Sequence, residues 1–153
     1  MVTTRAARAD DEAFVLALTE RLAAFAVPGW RTAAQVARVD DTILRDQLHR
    51  PDPDHLLLIA EDDCARRLGF VFARSRRDVF TEAPVTHVET LATEAKAEGM
   101  GVGRMLMTAV EDWARARGSV FVTLNVFDTN ARARGFYTRL GYQPETVHYI
   151  KPL

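Results

Sequence analysis

Apolar residues follow two spacings along this chain, and the spacing changes from segment to segment. Where they recur every three or four residues the pattern predicts amphipathic helices, and where they alternate or run together it predicts strands. The helical segments are residues 10–25, 32–49, 104–117 and 130–140. The strand segments are residues 2–8, 55–61, 68–75, 86–93, 120–126 and 142–152. We expect the second helical segment, whose apolar stripe includes Val36 and Val39, to be interrupted near Asp40 and Asp41.

The order of these segments predicts how the strands pair. A polar turn separates segments 55–61 and 68–75, which favours an antiparallel hairpin. A long helix separates segments 86–93 and 120–126, which favours a parallel pair joined by a right-handed crossover. The apolar run from Val120 to Val126 is typical of a buried strand. Together these features predict an α/β fold with a mixed sheet.

The composition and charge of the chain favour some classes of protein and argue against others. A single domain, residues 1–153, is expected because 48% hydrophobic and 27% charged residues suit one globular core. A net charge of −1 with scattered arginines argues against a nucleic-acid partner. No apolar segment is long enough to span a membrane and residues 1–8 lack a signal core, so we expect a cytoplasmic protein without a membrane partner. Cys64 is the only cysteine and the four histidines share no ligand spacing, so we expect neither a disulfide nor a metal site.

Three alternating glycines, Gly99, Gly101 and Gly103, stand directly before the third helical segment. Glycine lets the backbone turn sharply and approach a ligand, and the helix that follows offers free N–H groups and the positive end of its dipole. The arrangement predicts a site that binds phosphate through the main chain. No Lys-Ser or Lys-Thr pair follows the glycines, which argues against a nucleotide-binding P-loop.

A second motif lies between residues 125 and 142, where a short helix is predicted to place Asn130, Ala133 or Arg134, and Tyr137 along one side. The two motifs together resemble the GNAT family of N-acetyltransferases. The family's acetyl-CoA signature, Arg/Gln-x-x-Gly-x-Gly/Ala, aligns with residues 98–103. Its second motif, Asn-x-x-Ala-x-x-Phe/Leu-Tyr-x-x-x-Gly-Phe/Tyr, aligns with Asn130, Ala133, Phe136, Tyr137, Gly141 and Tyr142.

The resemblance implies a mixed, mostly antiparallel central sheet with helices on both faces, and acetyl-CoA as the acyl donor. It implies that the pantetheine arm of acetyl-CoA lies along the strand that ends at Thr93, where a backbone N–H near Leu91 or Ala92 polarises the thioester carbonyl. The residues that it assigns to donor binding are Leu91, Ala92, Thr93, Glu98, Gly99, Met100, Gly101, Val102, Gly103, Arg104, Asn130, Ala133 and Tyr137. A homodimer is a further expectation from the family.

Glu98 departs from the family signature, which has Arg or Gln at this position. A carboxylate repels a diphosphate, so we expect weakened but not abolished binding of acetyl-CoA. Either Lys96 or Arg104 would restore positive charge near the loop.

Three side chains are candidates for the chemistry of acetyl transfer. Tyr137 matches the family's general acid, which lends a proton to the leaving thiolate. The attacking amine must lose a proton, for which Glu89 is the first candidate, His87 the second and water the remaining alternative. By the two-residue period of a strand, His87, Glu89 and Leu91 are expected on one face, with Val88 and Thr90 on the other.

The function that these residues favour is that of an acetyl-CoA-dependent N-acetyltransferase. Such an enzyme moves an acetyl group to a primary amine of a small molecule, a peptide or a protein by direct attack within a ternary complex. The alternative is a noncatalytic domain that binds or senses acyl-CoA. Glu98 and the unassigned base are the only support for the alternative, whereas Asn130 and Tyr137 argue against it.

Overall fold

The computed structural model describes residues 1–37 and 41–153. The strands are β1 (Val2–Ala6), β2 (His55–Asp62), β3 (Arg67–Arg77), β4 (Pro84–Thr93) and β5 (Phe121–Leu124). The helices are α1 (Glu12–Thr19), α2 (Ala33–Ala37), α3 (Asp41–His49), α4 (Val102–Ala116) and α5 (Ala131–Arg139). Short 3₁₀ turns lie at Ala9–Asp11, Glu20–Ala23 and Ala95–Ala97.

The five strands form one sheet in the order β1-β2-β3-β4-β5. The first three pairs of neighbours are antiparallel, and β4 and β5 are parallel, as the strand–helix–strand order predicts. One group of buried residues, the α4 cluster, joins α4 to one face of the sheet through residues such as Val71 and Leu106. The α1/α3 cluster joins α1 and α3 to the opposite face through residues such as Val15 and Phe70. The predicted mixed sheet with helices on both faces is confirmed.

The N-terminal helices are shorter than the apolar pattern predicts. The first ends at Thr19 and continues only as a 3₁₀ turn to Ala23. Segment 32–49 contains two helices, α2 and α3. Val39, which the pattern assigns to the helical stripe, and Asp40, near which an interruption is expected, lie outside the described residues. None of the helices in the described ranges combines the length and the apolar character needed to cross a membrane.

The predicted C-terminal strand is wrong. Residues 142–153 form no strand in the structure, and Val147 and Tyr149 are 75% and 89% exposed. An alternating apolar segment becomes a strand only where a neighbouring strand completes its hydrogen bonds, and the local sequence does not carry that information. The run from Val120 to Val126 is also shorter and less buried than predicted: β5 is the edge of the sheet, and Phe121 is 57% exposed.

A β-bulge interrupts the middle of β4. Phe72 pairs with Thr90 and Ala73 pairs with Val88, so Glu89 is the extra residue on β4. A bulge of this kind shifts the alternation of side chains by one residue, because two residues of one strand oppose a single residue of the other.

The bulge overturns the predicted division of β4 into two faces. Val88 and Leu91 both pack in the α4 cluster, although a regular strand would place them on opposite faces. Thr90 pairs with Phe72 of the α1/α3 cluster and therefore lies on the face opposite Val88. Glu89 contacts Arg74, the cross-strand partner of His87, so Glu89 and His87 share a face and Leu91 lies on the other. The prediction is therefore right for residues 87–89 and wrong for Thr90 and Leu91, because a two-residue period has no means of recognising a bulge.

Candidate active site

Strands β4 and β5 are paired only along the first half of β4. Their parallel pairing runs from Val85 with Phe121 to Val88 with Leu124, where β5 ends. Residues 90–93 pair with β3 on one side and Glu89 is the unpaired bulge residue. On the other side, residues 89–93 have no strand within the described part of the chain. An unpaired strand edge presents main-chain donors and acceptors to an extended ligand. This open edge contains three predicted donor-binding residues, which are Leu91, Ala92 and Thr93.

A buried hydroxyl lies beside the bulge. Thr90 is only 3% exposed, and its Oγ1 has no hydrogen-bond partner among the described residues. Buried polar atoms are normally paired, so an orphaned hydroxyl at this point is consistent with a partner supplied by a ligand or by water.

The glycine loop is open above the N-terminus of α4. Gly99 and Gly101 have φ angles of +77° and +78°, in the left-handed region that glycine adopts without strain. No atom of the described residues beyond their immediate neighbours lies within 4 Å of the place where a Cβ would sit on either glycine. The first backbone bond of the helix runs from the Met105 N–H to the Gly101 carbonyl (3.0 Å), so the N–H groups of the preceding turn have no partner within the helix.

Gly103 and Val102 have a packing role in the same loop. A Cβ on Gly103 would lie 3.2 Å from the Phe136 ring, so its absence lets α4 approach α5 closely. The side chain of Val102 is 1% exposed and belongs to the α4 cluster, which leaves only its backbone for a ligand.

Glu98, at the head of the loop, is held by two arginines from distant parts of the chain. The Arg21 Nη2 atom lies 2.7 Å from Glu98 Oε1, and the Arg132 Nη2 atom lies 2.9 Å from the same oxygen. The hydrogen bond from Arg132 lowers the pKa of the Glu98 carboxyl, and Arg21 adds to this effect. The expected compensation by Lys96 or Arg104 overlooked this pair, because no local pattern links Arg21 to Glu98 across 77 positions.

Asn130 and Ala133 are joined by a hydrogen bond. The Asn130 Oδ1 atom accepts a hydrogen bond from the Ala133 N–H at 3.1 Å, which caps the N-terminus of α5. This contact gives both motif residues a structural role in orienting α5. Any contact of theirs with a donor stays a prediction.

Tyr137 lies on α5 against the α4 cluster. The rings of Phe136 and Tyr142 meet it edge-on, with centroids 5.1 and 5.7 Å away. Burial raises the pKa of Tyr137 to about 12, so the phenol is protonated at neutral pH. The Tyr142 hydroxyl donates to Glu111 (3.1 Å), whereas the Tyr137 hydroxyl has no partner in the described part of the chain.

A row of polar side chains crosses the other face of the sheet. Cross-strand pairing aligns one residue from each of four neighbouring strands, namely His55, Arg74, His87 and Thr123. His55 Nδ1 lies 3.2 Å from Gln47 Oε1 of α3, which places the row on the face covered by α1 and α3. His87 and Tyr137 therefore lie on opposite faces of the sheet.

Two arginines compensate the charge of Glu89. Arg74 Nε donates to Glu89 Oε1 at 2.8 Å, and Arg76 donates to the same oxygen. One oxygen of the Glu89 carboxylate is therefore already occupied by hydrogen bonds from two guanidinium groups.

His87, unlike Glu89, is hydrogen-bonded to a neutral side chain, that of Thr123. Its Nδ1 atom lies 2.8 Å from Thr123 Oγ1, and Nε2 can accept a proton in the tautomer in which Nδ1–H donates to this hydroxyl. Burial lowers the pKa of His87; Glu89 opposes this shift, and Arg76 and Arg74 add to it. The imidazole is therefore neutral at neutral pH, as a proton acceptor must be.

A cavity of about 430 Å³ lies on the same face as His87. It is lined by residues of α3, of the following loop and of β2 and β3, which are Ile43, Asp46, Gln47, Arg50, Asp52, His55 and Arg74. Charges of both signs line this cavity, and Arg74 connects it to the polar row.

The family follows from the match of the sequence to a family profile. The profile described as the acetyltransferase (GNAT) family matches residues 8–142, which is most of the chain. The chain belongs to this family, and the predicted resemblance is confirmed.

Alignments with individual relatives span only part of each chain. Glucosamine 6-phosphate N-acetyltransferase 1 of Oryza sativa subsp. japonica is 32% identical over 61% of this chain and 56% of its own length. Mycothiol acetyltransferase of Beutenbergia cavernae is 33% identical over 63% of this chain and 31% of its own length. The matches thus span about half or less of these relatives. A putative acetyl transferase from Pyrococcus furiosus has a TM-score of 0.79 and 20% identity over the whole of both chains, which shows a common fold.

Proposed function

We propose that the protein is an acetyl-CoA-dependent N-acetyltransferase that acts on a primary amine. The observation that carries this proposal is the open edge of β4 at residues 89–93, which leads directly into an open glycine loop at the start of α4. In a member of the acetyltransferase family, these two features are suited to the extended pantetheine arm and to the diphosphate of CoA, respectively.

The residues present fit such a donor. The free main-chain groups of residues 91–93 would hold the pantetheine arm and offer an N–H to the thioester carbonyl. The N–H groups of Gly99, Gly101 and the first turn of α4 would hold the diphosphate, since those of Glu98 and Met100 already donate to backbone carbonyls. The orphaned Thr90 hydroxyl supports a ligand beside the bulge. When bound, acetyl-CoA supplies the activated acetyl group.

We infer that His87 accepts the proton of the attacking amine. Glu89, the first candidate from the sequence, is hydrogen-bonded to Arg74 and Arg76, whereas His87 is neutral and keeps one ring nitrogen free. Glu89 would then act as a positioning residue that holds the two arginines beside His87.

Tyr137 is suited to give a proton to the leaving thiolate. Its phenol is protonated at neutral pH and lies on the face opposite His87, and the open edge of β4 begins two residues beyond His87. Base and acid on opposite sides of the donor suit direct attack, because the amine approaches from one side while the thiolate leaves toward the other.

The acceptor is proposed to be a polar small molecule. The named relatives act on amino-sugar phosphate or mycothiol-related substrates, and the charged cavity next to the polar row would admit a polar acceptor. A peptide or protein amine is the other class. The homodimer, the cytoplasmic location and the absence of nucleic acid stay predictions from the sequence.

Two measurements together test this function. Release of free CoA thiol from acetyl-CoA is followed with a panel of amino sugars, amino-sugar phosphates and peptides that carry a free amine. A thermal shift with CoA reports binding separately, because a ligand at about 100 times its dissociation constant stabilises a fold by about 2.7 kcal/mol. We expect both binding and amine-dependent release. Binding without release for any amine would instead support the noncatalytic sensor.

A further inference from the structure

We propose that Arg21 and Arg132 bind the diphosphate of CoA and that Glu98 positions them for this task. The inference rests on the proposed function, because it takes the glycine loop to be the place where CoA binds. Arg21 lies outside both sequence motifs, and Arg132 occupies an unspecified position of the second. The inference also changes the interpretation of Glu98, which the sequence alone presents as a repulsive substitution.

The two arginines converge on the loop from separate elements. Arg21 comes from the 3₁₀ turn after α1, and Arg132 comes from the first turn of α5. Their Nη2 atoms lie 2.7 and 2.9 Å from the same oxygen of Glu98. Glu98 in turn immediately precedes Gly99, the first of the two open glycines of the loop. The ion pairs with Glu98 thus place both guanidinium groups at the head of the open loop.

The charge of this group favours an anion. Two guanidinium groups share one carboxylate, which leaves a net charge of +1 beside the N-terminus of α4. Each guanidinium has five N–H donors, and binding to Glu98 uses only some of them. The side chains of Arg21 and Arg132 are 33% and 67% exposed, so solvent and a ligand can reach the remaining donors.

The contact with Glu98 is weak enough to be exchanged. Exposed ion pairs contribute little to stability, whereas a guanidinium group binds phosphate oxygens through two parallel hydrogen bonds. A diphosphate carries more negative charge than a carboxylate and competes well for the same donors. Glu98 would therefore keep the two arginines near the loop without CoA and yield part of their donors when CoA binds.

This arrangement accounts for the departure of Glu98 from the family signature. The signature has a cation or an amide at this position of the loop, whereas here the positive charge comes from two other elements. Arg21 and Arg132 would restore the missing charge, and a carboxylate at position 98 is then the residue that holds them in place.

Calorimetric titration with CoA tests the two arginines without any need for turnover. The variants are Arg21→Ala, Arg132→Ala and the double variant, and Arg139→Ala, at the far end of α5, is the matched control. We expect each single variant to bind CoA about fivefold more weakly and the double variant about 25-fold, as exposed charge-assisted contacts would give. Thermal unfolding without ligand checks that each variant is folded. Unchanged affinity in the double variant would overturn the inference.

Titration with 3′-dephospho-CoA separates the diphosphate from the other phosphate of the molecule. The loss of affinity in the arginine variants should be the same with CoA and with the dephosphorylated form. A loss that disappears with 3′-dephospho-CoA would place the arginines on the 3′-phosphate and overturn the diphosphate assignment. A wild-type protein that does not bind CoA would overturn the proposed function as well, whereas normal wild-type binding with unaffected variants would overturn this inference alone.

The role of Glu98 is tested by one substitution in two backgrounds. In the wild-type background Glu98→Gln should weaken CoA binding, because the two guanidinium groups lose the charge that holds them near the loop. In the background without both arginines the same substitution should strengthen binding, because only the repulsion of the carboxylate is left to remove. Stronger binding in both backgrounds would show that Glu98 only repels and would overturn its positioning role.

Discussion

Asp11 and Glu98 are carboxylates that are each bound by two arginines, and they lie in very different surroundings. Asp11, just before α1, has no exposed surface and accepts hydrogen bonds from Arg5, from Arg67 and from the Arg8 N–H. Glu98, at the head of the glycine loop, has a side chain that is 36% exposed. The Asp11 cluster joins β1, β3 and the start of α1, whereas the Glu98 cluster joins the loop to α5 and to the 3₁₀ turn after α1.

Burial determines whether a carboxylate with two arginines contributes to stability or remains free to exchange its partners. Burial by itself raises the pKa of Asp11, but the hydrogen bonds from Arg5, Arg67 and the Arg8 backbone outweigh it, so the pKa lies well below its usual range. Such a buried group is costly to break, because removal of one partner leaves uncompensated charge. An exposed cluster is screened by water and can exchange partners. We therefore expect substitutions in the closed region around Asp11 to reduce stability, and substitutions around the open loop and the edge of β4 to reduce binding or catalysis.

The largest expected effect is on stability. Asp11→Asn should lower the free energy of unfolding by about 3 kcal/mol, because it removes the buried counter-charge that Arg5 and Arg67 share and leaves them only the more exposed Glu61 and Asp10. Glu98→Gln, the matched substitution in the exposed cluster, should leave the unfolding curve unchanged. Urea unfolding of the two variants measures both values. Equal losses would remove the distinction between the two clusters.

Tyr137→Phe should act on catalysis alone. The substitution removes the phenolic proton but keeps the ring that packs against Phe136 and Tyr142. We expect kcat to fall about 100-fold, as for loss of a general acid, with unchanged affinity for CoA and unchanged unfolding. Steady-state kinetics with acetyl-CoA and titration with CoA separate the two effects. An undiminished kcat would exclude Tyr137 from the mechanism.

A side chain on the loop should reduce donor binding. Gly101→Val introduces a branched Cβ at a φ of +78° and into the open space above α4, so we expect the affinity for CoA to fall at least about tenfold. Gly103→Ala is the informative comparison, because its Cβ would meet the Phe136 ring and should lower the melting temperature instead. Wild-type affinity in Gly101→Val would mean that CoA binds elsewhere.

The smallest expected effect is a shift of the pH profile. Because the pKa of His87 is lowered, kcat/KM should fall on acidification only below the usual imidazole pKa of about 6.5, as the ring becomes protonated and ceases to accept a proton. Arg76→Gln removes a positive charge that lowers this pKa, so the acid limb should move to higher pH. Arg77→Gln, whose guanidinium donates to the Glu82 carbonyl, is the control. A histidine titration by NMR checks that the moving group is His87, and an acid limb indifferent to Arg76 would argue for another base.

Much of the fold and part of the site could be predicted from local pattern. The hairpin of β2 and β3, the parallel pair of β4 and β5 and the helix after the glycines all follow from spacing and connection length. The sharp turn of the glycine loop agrees with the expectation from residue type, although Gly99 and Gly101 have a positive φ and Gly103 does not. The predictions that failed depend on a neighbouring strand. Residues 142–152 have an alternating pattern, but they form no strand. Glu89 forms a bulge because of the register between β3 and β4.

The sequence by itself determined the helix periodicity, the hairpin of β2 and β3, the glycine loop and the position of Tyr137, because each of these depends on residues that are close together along the chain. Only the tertiary structure decided that β4 is bulged and has a free edge, that Asp11 is buried beneath two arginines, and that Arg21 and Arg132 meet at Glu98. The physical reason is that burial and charge pairing depend on which distant segments meet in space. A carboxylate has the same formula at positions 11 and 98 whether water or protein surrounds it.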